Sequence, residues 1–133
     1  MEKKESYATQ EEYNKRVVRY RDTPQMELIP GARNHIISTE RVTVSFVTLE
    51  PNITVTPHRH EPEQMVIVND GACDFVVDGK LYHLEEGDVL LIPSGIEHGN
   101  YSSEKGLRMI EVFAPPRYDL VEKLEVLQQG LKA

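Results

Sequence analysis

The chain holds a single cysteine and no tryptophan, and its aromatic residues are only 7% of the total. One thiol, Cys73, cannot close an intramolecular disulfide, which excludes a disulfide-stapled scaffold. No apolar run is long enough to span a bilayer, and the polar start Glu2-Lys3-Lys4-Glu5 is unlike a signal peptide. A cytoplasmic protein without membrane contact is therefore expected. Basic residues are outnumbered, 15 against 22, for a net charge of -7. The densest basic pairs, Lys3-Lys4 and Lys15-Arg16, read as solvated surface. Phosphate-backbone binding draws on clustered Lys and Arg, so no nucleic-acid partner is expected. There is no internal repeat and no low-complexity segment. The 133 residues fit one domain.

What is present is a change of period along the chain. Residues 1–8 are polar and read as a flexible tail; residues 9–133 read as the domain. Thr9 followed by Glu12 predicts a capping box and a helix over 10–17. Pro30-Gly31 marks a turn. From Ile36 the apolar period becomes two, and 41–46 alternates as a half-buried strand. The run 64–68 is nearly continuous in apolar residues, the pattern of a strand covered on both faces. Asp78-Gly79 between two alternating arms predicts a two-residue hairpin. Short strands over 89–92 and 107–113 follow. Turns about every ten residues predict an antiparallel sandwich or barrel. Over 119–129, Leu120, Leu124, Leu127 and Leu131 recur at helical spacing, with Val121 widening the stripe. That stripe predicts a helix packed on the barrel or on a second subunit.

Five histidines stand out. His58 and His60, two apart, share one face of a strand. Gln64 has their parity; Glu61 and Glu63 do not, although a bulge at Pro62 could re-aim Glu63. The turn Pro93-Ser94-Gly95 delivers His98 at the start of a strand. Imidazole nitrogens completed by an amide oxygen suit one divalent ion: zinc, nickel, manganese or iron. Gly71 and Gly87 stand where the chain must reverse tightly. Cys73 alternates with Phe75 and Val77 as a core residue. His35 and His83 read most simply as surface.

These residues resemble the two motifs of the cupin superfamily. The first is His58-Arg59-His60, three residues, Gln64, six residues, Gly71. The second is Gly87, five residues, Pro93-Ser94-Gly95, two residues, His98; Ser102 stands where the motif ends in Asn, and Asn100 lies nearby. The motifs occupy 58–71 and 87–102. The resemblance implies an all-β antiparallel cupin barrel (a double-stranded β-helix, or jelly roll) with short N- and C-terminal helices. It also implies a metal held by His58, His60, Gln64 and His98, and a homodimer.

A set of neutral ligands leaves the full charge on the ion, which favours Lewis-acid chemistry on a small-molecule substrate. On the strand 107–113, Glu111 shares a face with Leu107, Met109 and Phe113. A carboxylate there must be paired or must work as an acid or base. Arg117 could pair with it or hold a substrate carboxylate. The segment from Glu111 through Phe113 and Pro115-Pro116 to Arg117 resembles the C-terminal strand of the pectin- and alginate-degradation cupins. Those convert 4,5-unsaturated uronates to linear ketonised sugars, with an Asp usual where this chain has Glu111. The resemblance implies an isomerase or tautomerase with Glu111 and Arg117 catalytic, and Phe113 and Arg117 contacting substrate. Tyr101, just after His98, could offer a hydroxyl to the same substrate or serve packing alone. An Fe(II)-dependent dioxygenase and a non-catalytic small-molecule-binding cupin are the alternatives.

Overall fold

A computed structural model of the chain describes residues 2–132. Helix α1, Gln10–Arg16, begins as its sequence dictates: the Thr9 hydroxyl accepts from the Glu12 amide at 3.2 Å, and the Glu12 carboxylate accepts from the Thr9 amide at 2.9 Å. None of its residues is buried. A single 3-10 turn, Tyr20–Asp22, leads into the sheet.

Eight strands follow: β1 Met26–Ile29, β2 Ala32–Ser38, β3 Thr43–Leu49, β4 Thr54–His58, β5 Glu63–Val77, β6 Lys80–Glu85, β7 Val89–Ile92 and β8 His98–Ala114. Every pairing is antiparallel. All eight strands join in one hydrogen-bonded sheet, which the long strands β5 and β8, side by side from Glu63↔Ala114 to Val77↔His98, divide into two halves that act as the two sheets of the barrel. One half of this pair continues into β3, β2 and β1 on one side and β7 on the other; the other half continues into β4 and β6. Strands that cross from one sheet to the other do so at bulges and bends. Here the register slips between Val68 and Asp70 and between Gly71 and Cys73. Gly71 and Gly106, both at positive φ, sit back to back at the bend, and a Cβ on Gly71 would overlap the Gly106 carbonyl.

The inner faces of both sheets share one core, with Val47 and Leu49 from β3, Val66, Val68, Cys73 and Phe75 from β5, Leu84, Ile92, Leu107 and Met109. This is the expected jelly-roll barrel. The Asp78-Gly79 hairpin forms as read, with φ of 49° and 77°. Helix α2, Tyr118–Lys132, lays Leu120 and Leu124 against Met26 and Ile36. Leu127 is at the edge of exposure and Val126 is exposed, so among the described residues only the first turns of the stripe pack on the barrel. The side chain of Leu131 lies outside the described residues.

Three expectations need correction. The run 64–68 is covered on one face only: Gln64, Val66 and Val68 are buried, while Met65 is 47% exposed on the outer wall. The sheet also begins earlier than residue 36, because Pro30-Gly31 turns a hairpin between β1 and β2. His58 and His60 do not share a strand: β4 ends at His58, which it brings against His98, and His60 lies beyond it.

Candidate metal centre

His58 ends β4, His98 starts β8, and the two residues are register partners. His60 lies in the connection to β5, and Gln64 enters the barrel on β5, 3% exposed. One ring nitrogen from each of the three histidines lies within 4.8 Å of the others. Ring centroids are 4.6 Å apart for His58 and His98 and 4.7 Å for His60 and His98.

The backbone decides which nitrogen each ring presents. His58 Nδ1 faces the Thr56 carbonyl at 3.1 Å, His60 Nδ1 the Pro62 carbonyl at 2.8 Å, and His98 Nδ1 the Ile96 carbonyl at 2.8 Å. A carbonyl only accepts, so each Nδ1 carries a proton, and Nε2 is the nitrogen left to offer a lone pair to a ligand. Burial lowers the His98 pKa to about 4, and burial followed by the charge of Arg117 lowers that of His60. Both rings are therefore neutral at pH 7, the form that binds metal. His98 Nε2 is buried and has no hydrogen-bond partner among the described residues. His60 Nε2 faces Gln64 Oε1 at 3.1 Å, lone pair to lone pair. An orphaned buried nitrogen and two facing acceptors are what a shared cation satisfies, so the residues fit a divalent ion. Glu61 and Glu63 are exposed, and Pro62 does not turn Glu63 inward.

Gln64 is held by its other end. Its Nε2 donates to Glu111 Oε2 at 2.6 Å. Glu111 projects inward from β8, and burial pushes its carboxyl up to about 7 against the opposing pull of Arg117 and Gln64. It is not paired with Arg117. That guanidinium forms two hydrogen bonds with Asp119, at 3.0 and 2.9 Å, and lies 4.9 Å from the centre of the Phe113 ring. The Asp119 carboxyl is held below its usual range by the same hydrogen bonds. Gln64, Glu111 and Arg117 line one cavity of about 150 Å³ together with His58 and His98.

Two expected substrate contacts are placed differently. Tyr101 is 43% exposed on the outer wall, because it alternates with the buried Asn100 and Ser102; it does not line the cavity. Phe113 is 1% exposed and is a packing support, its ring 5.5 Å from that of His60. His35 is also outside the site, hydrogen-bonded to Thr23 beside Tyr20. His83 is exposed, and the Asp74 and Glu85 carboxylates beside it raise its pKa. The cavity is lined instead by Asn34 and Asn100, neither of them among the expected substrate contacts. Asn100 has the parity of His98 on the same strand, a signal that could have found it. Asn34 has none, because only its pairing in the β1–β2 hairpin and with β3 sets which way it faces.

The family model described as cupin domain matches residues 45–113. The chain is 29% identical over 102 residues to the pectin degradation protein KdgF of Dickeya dadantii, covering 75% of this chain and 93% of that protein. The solved structure of KdgF from Halomonas sp. superposes with a TM-score of 0.70 at 26% identity, covering 75% of this chain and 93% of that one. An RmlC-like cupin from Shewanella frigidimarina superposes with a TM-score of 0.73 at 21% identity, covering 79% and 95%, a likeness of fold. With the motif spacing, the jelly roll and the converging histidines, these findings establish that the chain belongs to the cupin family.

Proposed function

We propose that this cupin is a metal-dependent enzyme of the isomerase or tautomerase kind that converts a 4,5-unsaturated uronate to its linear ketonised form. The observation that carries the reading is the Gln64 side chain, whose oxygen faces the histidines and whose nitrogen holds Glu111, in a cavity that Arg117 also lines. The likeness to the Dickeya dadantii protein named for pectin degradation supports the substrate class.

A divalent ion on His58, His60, Gln64 and His98 supplies Lewis-acid polarisation of an adjacent oxygen when bound. The rest falls to the chain. Asp119 fixes the Arg117 guanidinium, whose remaining N–H groups, without a side-chain or backbone partner among the described residues, would hold the substrate carboxylate. The reaction then balances within the substrate. A base takes the anomeric hydroxyl proton, the bond from C1 to the ring oxygen breaks, and an aldehyde and an enolate remain. A proton returned to C4 turns the enolate into a ketone. Glu111 is the carboxylate placed to take that proton and give it back.

The test is incubation of metal-loaded protein with a 4,5-unsaturated uronate, following the ultraviolet absorbance of the C4–C5 double bond and the product mass. Loss of absorbance at unchanged mass, absent in His98→Ala, is the expected result. A rate no faster than the blank refutes the reading, and oxygen uptake with a gain in mass would replace it with the dioxygenase.

A further inference from the structure

Asn34 and Asn100 are 5% and 4% exposed, and both line the cavity. Asn34 projects inward from β2 and Asn100 from the first half of β8, so they stand on the two different sheets of the barrel. The Asn34 amide nitrogen donates to Ser45 Oγ at 3.1 Å. The Oδ1 atoms of both residues are buried without a hydrogen-bond partner among the described residues. A buried carbonyl left unpaired destabilises a fold, and an apolar side chain of the same shape would remove that cost. Asn100 is also two residues from His98 on one strand face, about 7 Å along the strand. Unpaired polar groups kept at the wall of a cavity, next to a metal centre, serve a ligand better than they serve the core.

The ligand group follows from the chemistry of an amide. A carboxylate would meet a carbonyl acceptor to acceptor. A hydroxyl donates to a carbonyl and accepts from an amino group, so it matches these side chains whichever way they are turned. A cavity of about 150 Å³ holds one six-membered ring. We propose that Asn34 and Asn100 are specificity-determining residues that bind hydroxyl groups of a monosaccharide-sized acid from opposite walls, while Arg117 holds its carboxylate. This rests on the reading of the cavity as a substrate site for a sugar acid.

The experiment uses two probes that need no turnover: D-galacturonate and the hydroxyl-free ring acid tetrahydropyran-2-carboxylate. Their affinities are measured by calorimetry on metal-loaded wild type, Asn100→Leu and Asn34→Leu, with a melting curve for each. Wild type is expected to prefer galacturonate by about tenfold or more. In Asn100→Leu that ratio collapses toward one, the hydroxyl-free acid binds as before, and the melting temperature does not fall. Asn34→Leu also loses Ser45 as a partner, so only its ligand ratio is diagnostic, and it too falls. Equal binding of the two acids by wild type, binding of neither, or an unchanged ratio in both variants overturns the proposal. So does equal weakening of both acids with a lower melting temperature, the signature of a merely structural role. If the hydroxyl preference and its dependence on Asn100 hold but no unsaturated uronate is converted, the enzyme reading fails and this one stands. Conversion at unchanged kcat/KM in both variants does the reverse.

Discussion

Gln64 Nε2 donates to Glu111 Oε2 at 2.6 Å, and this one hydrogen bond turns the Gln64 oxygen toward His60, 3.1 Å away. The amide has two distinct ends, so the carboxylate proposed to move a proton also orients the amide oxygen proposed to hold the metal. Neither residue can be assigned a role without the other.

Glu111→Gln separates the two roles. The new amide oxygen still accepts from Gln64 Nε2, so the ligand set is kept while proton transfer is lost. The expected fall in kcat is about 10²- to 10⁴-fold, with metal content per chain unchanged by elemental analysis. Full activity in this variant would remove Glu111 from the chemistry; loss of metal would make it a positioning residue for Gln64.

Metal binding should be legible in stability. An ion that binds only the folded chain stabilises it by about 2.7 kcal/mol at a hundredfold excess over Kd. Chelation should therefore lower the melting temperature of wild type, and added zinc, nickel or manganese should restore it. His98→Ala should show no such shift, because it deletes the ligand whose buried Nε2 lacks a partner among the described residues. A wild-type melting curve indifferent to every divalent ion tested would count against the centre.

Much of this site could be read from parity. Their spacing marks His58, His60 and Gln64 as one group, but they converge from three places, the end of β4, its connection to β5, and β5 itself, while the turn at Pro93-Ser94-Gly95 starts β8 with His98 opposite His58. Tyr101 is near His98 in sequence, but its odd parity on β8 turns it outward. An apolar run such as 64–68 does not reveal whether the outer wall is covered, and Met65 stands exposed on it. The pairing of Arg117 with Asp119, in place of Glu111, is a local contact between residues two apart at the start of α2. Asn34 is the opposite case: only the β1–β2 hairpin puts it in the cavity.

Cys73 should be inert in the folded protein. It is 1% exposed in the core, and burial, helped by the charge of Asp74, pushes its thiol up to about 12 from 9.0. Thiol reagents at pH 8 are expected to label it only after denaturation. The folded-state value is raised, so the associated stability is complete below pH 9 and is lost as pH rises through 12, by at most about 1.4 kcal/mol per pH unit. Cys73→Ala should flatten the decline of stability over that window. Rapid labelling of the native chain at pH 8 would contradict the buried placement.

Gly99 couples packing to the metal centre. A Cβ there would come within 2.5 Å of the Val55 carbonyl oxygen and 2.8 Å of the Pro57 nitrogen, both backbone atoms of β4. Alanine at this position must push β4 away from β8, and β4 carries His58 while β8 carries His98. Gly99→Ala should therefore weaken metal affinity by about 10- to 100-fold, the range seen when support of a ligand is disturbed. Gly71→Ala is the comparison. It places a side chain at φ +83° against the Gly106 carbonyl at the bend of β5, away from the ligands. That variant should lower the melting temperature while its folded fraction binds metal as tightly as wild type. Metal titrations followed by calorimetry on both variants distinguish the two effects. If Gly99→Ala loses stability but keeps wild-type affinity, the approach of β4 to β8 does not set the spacing of the two histidines.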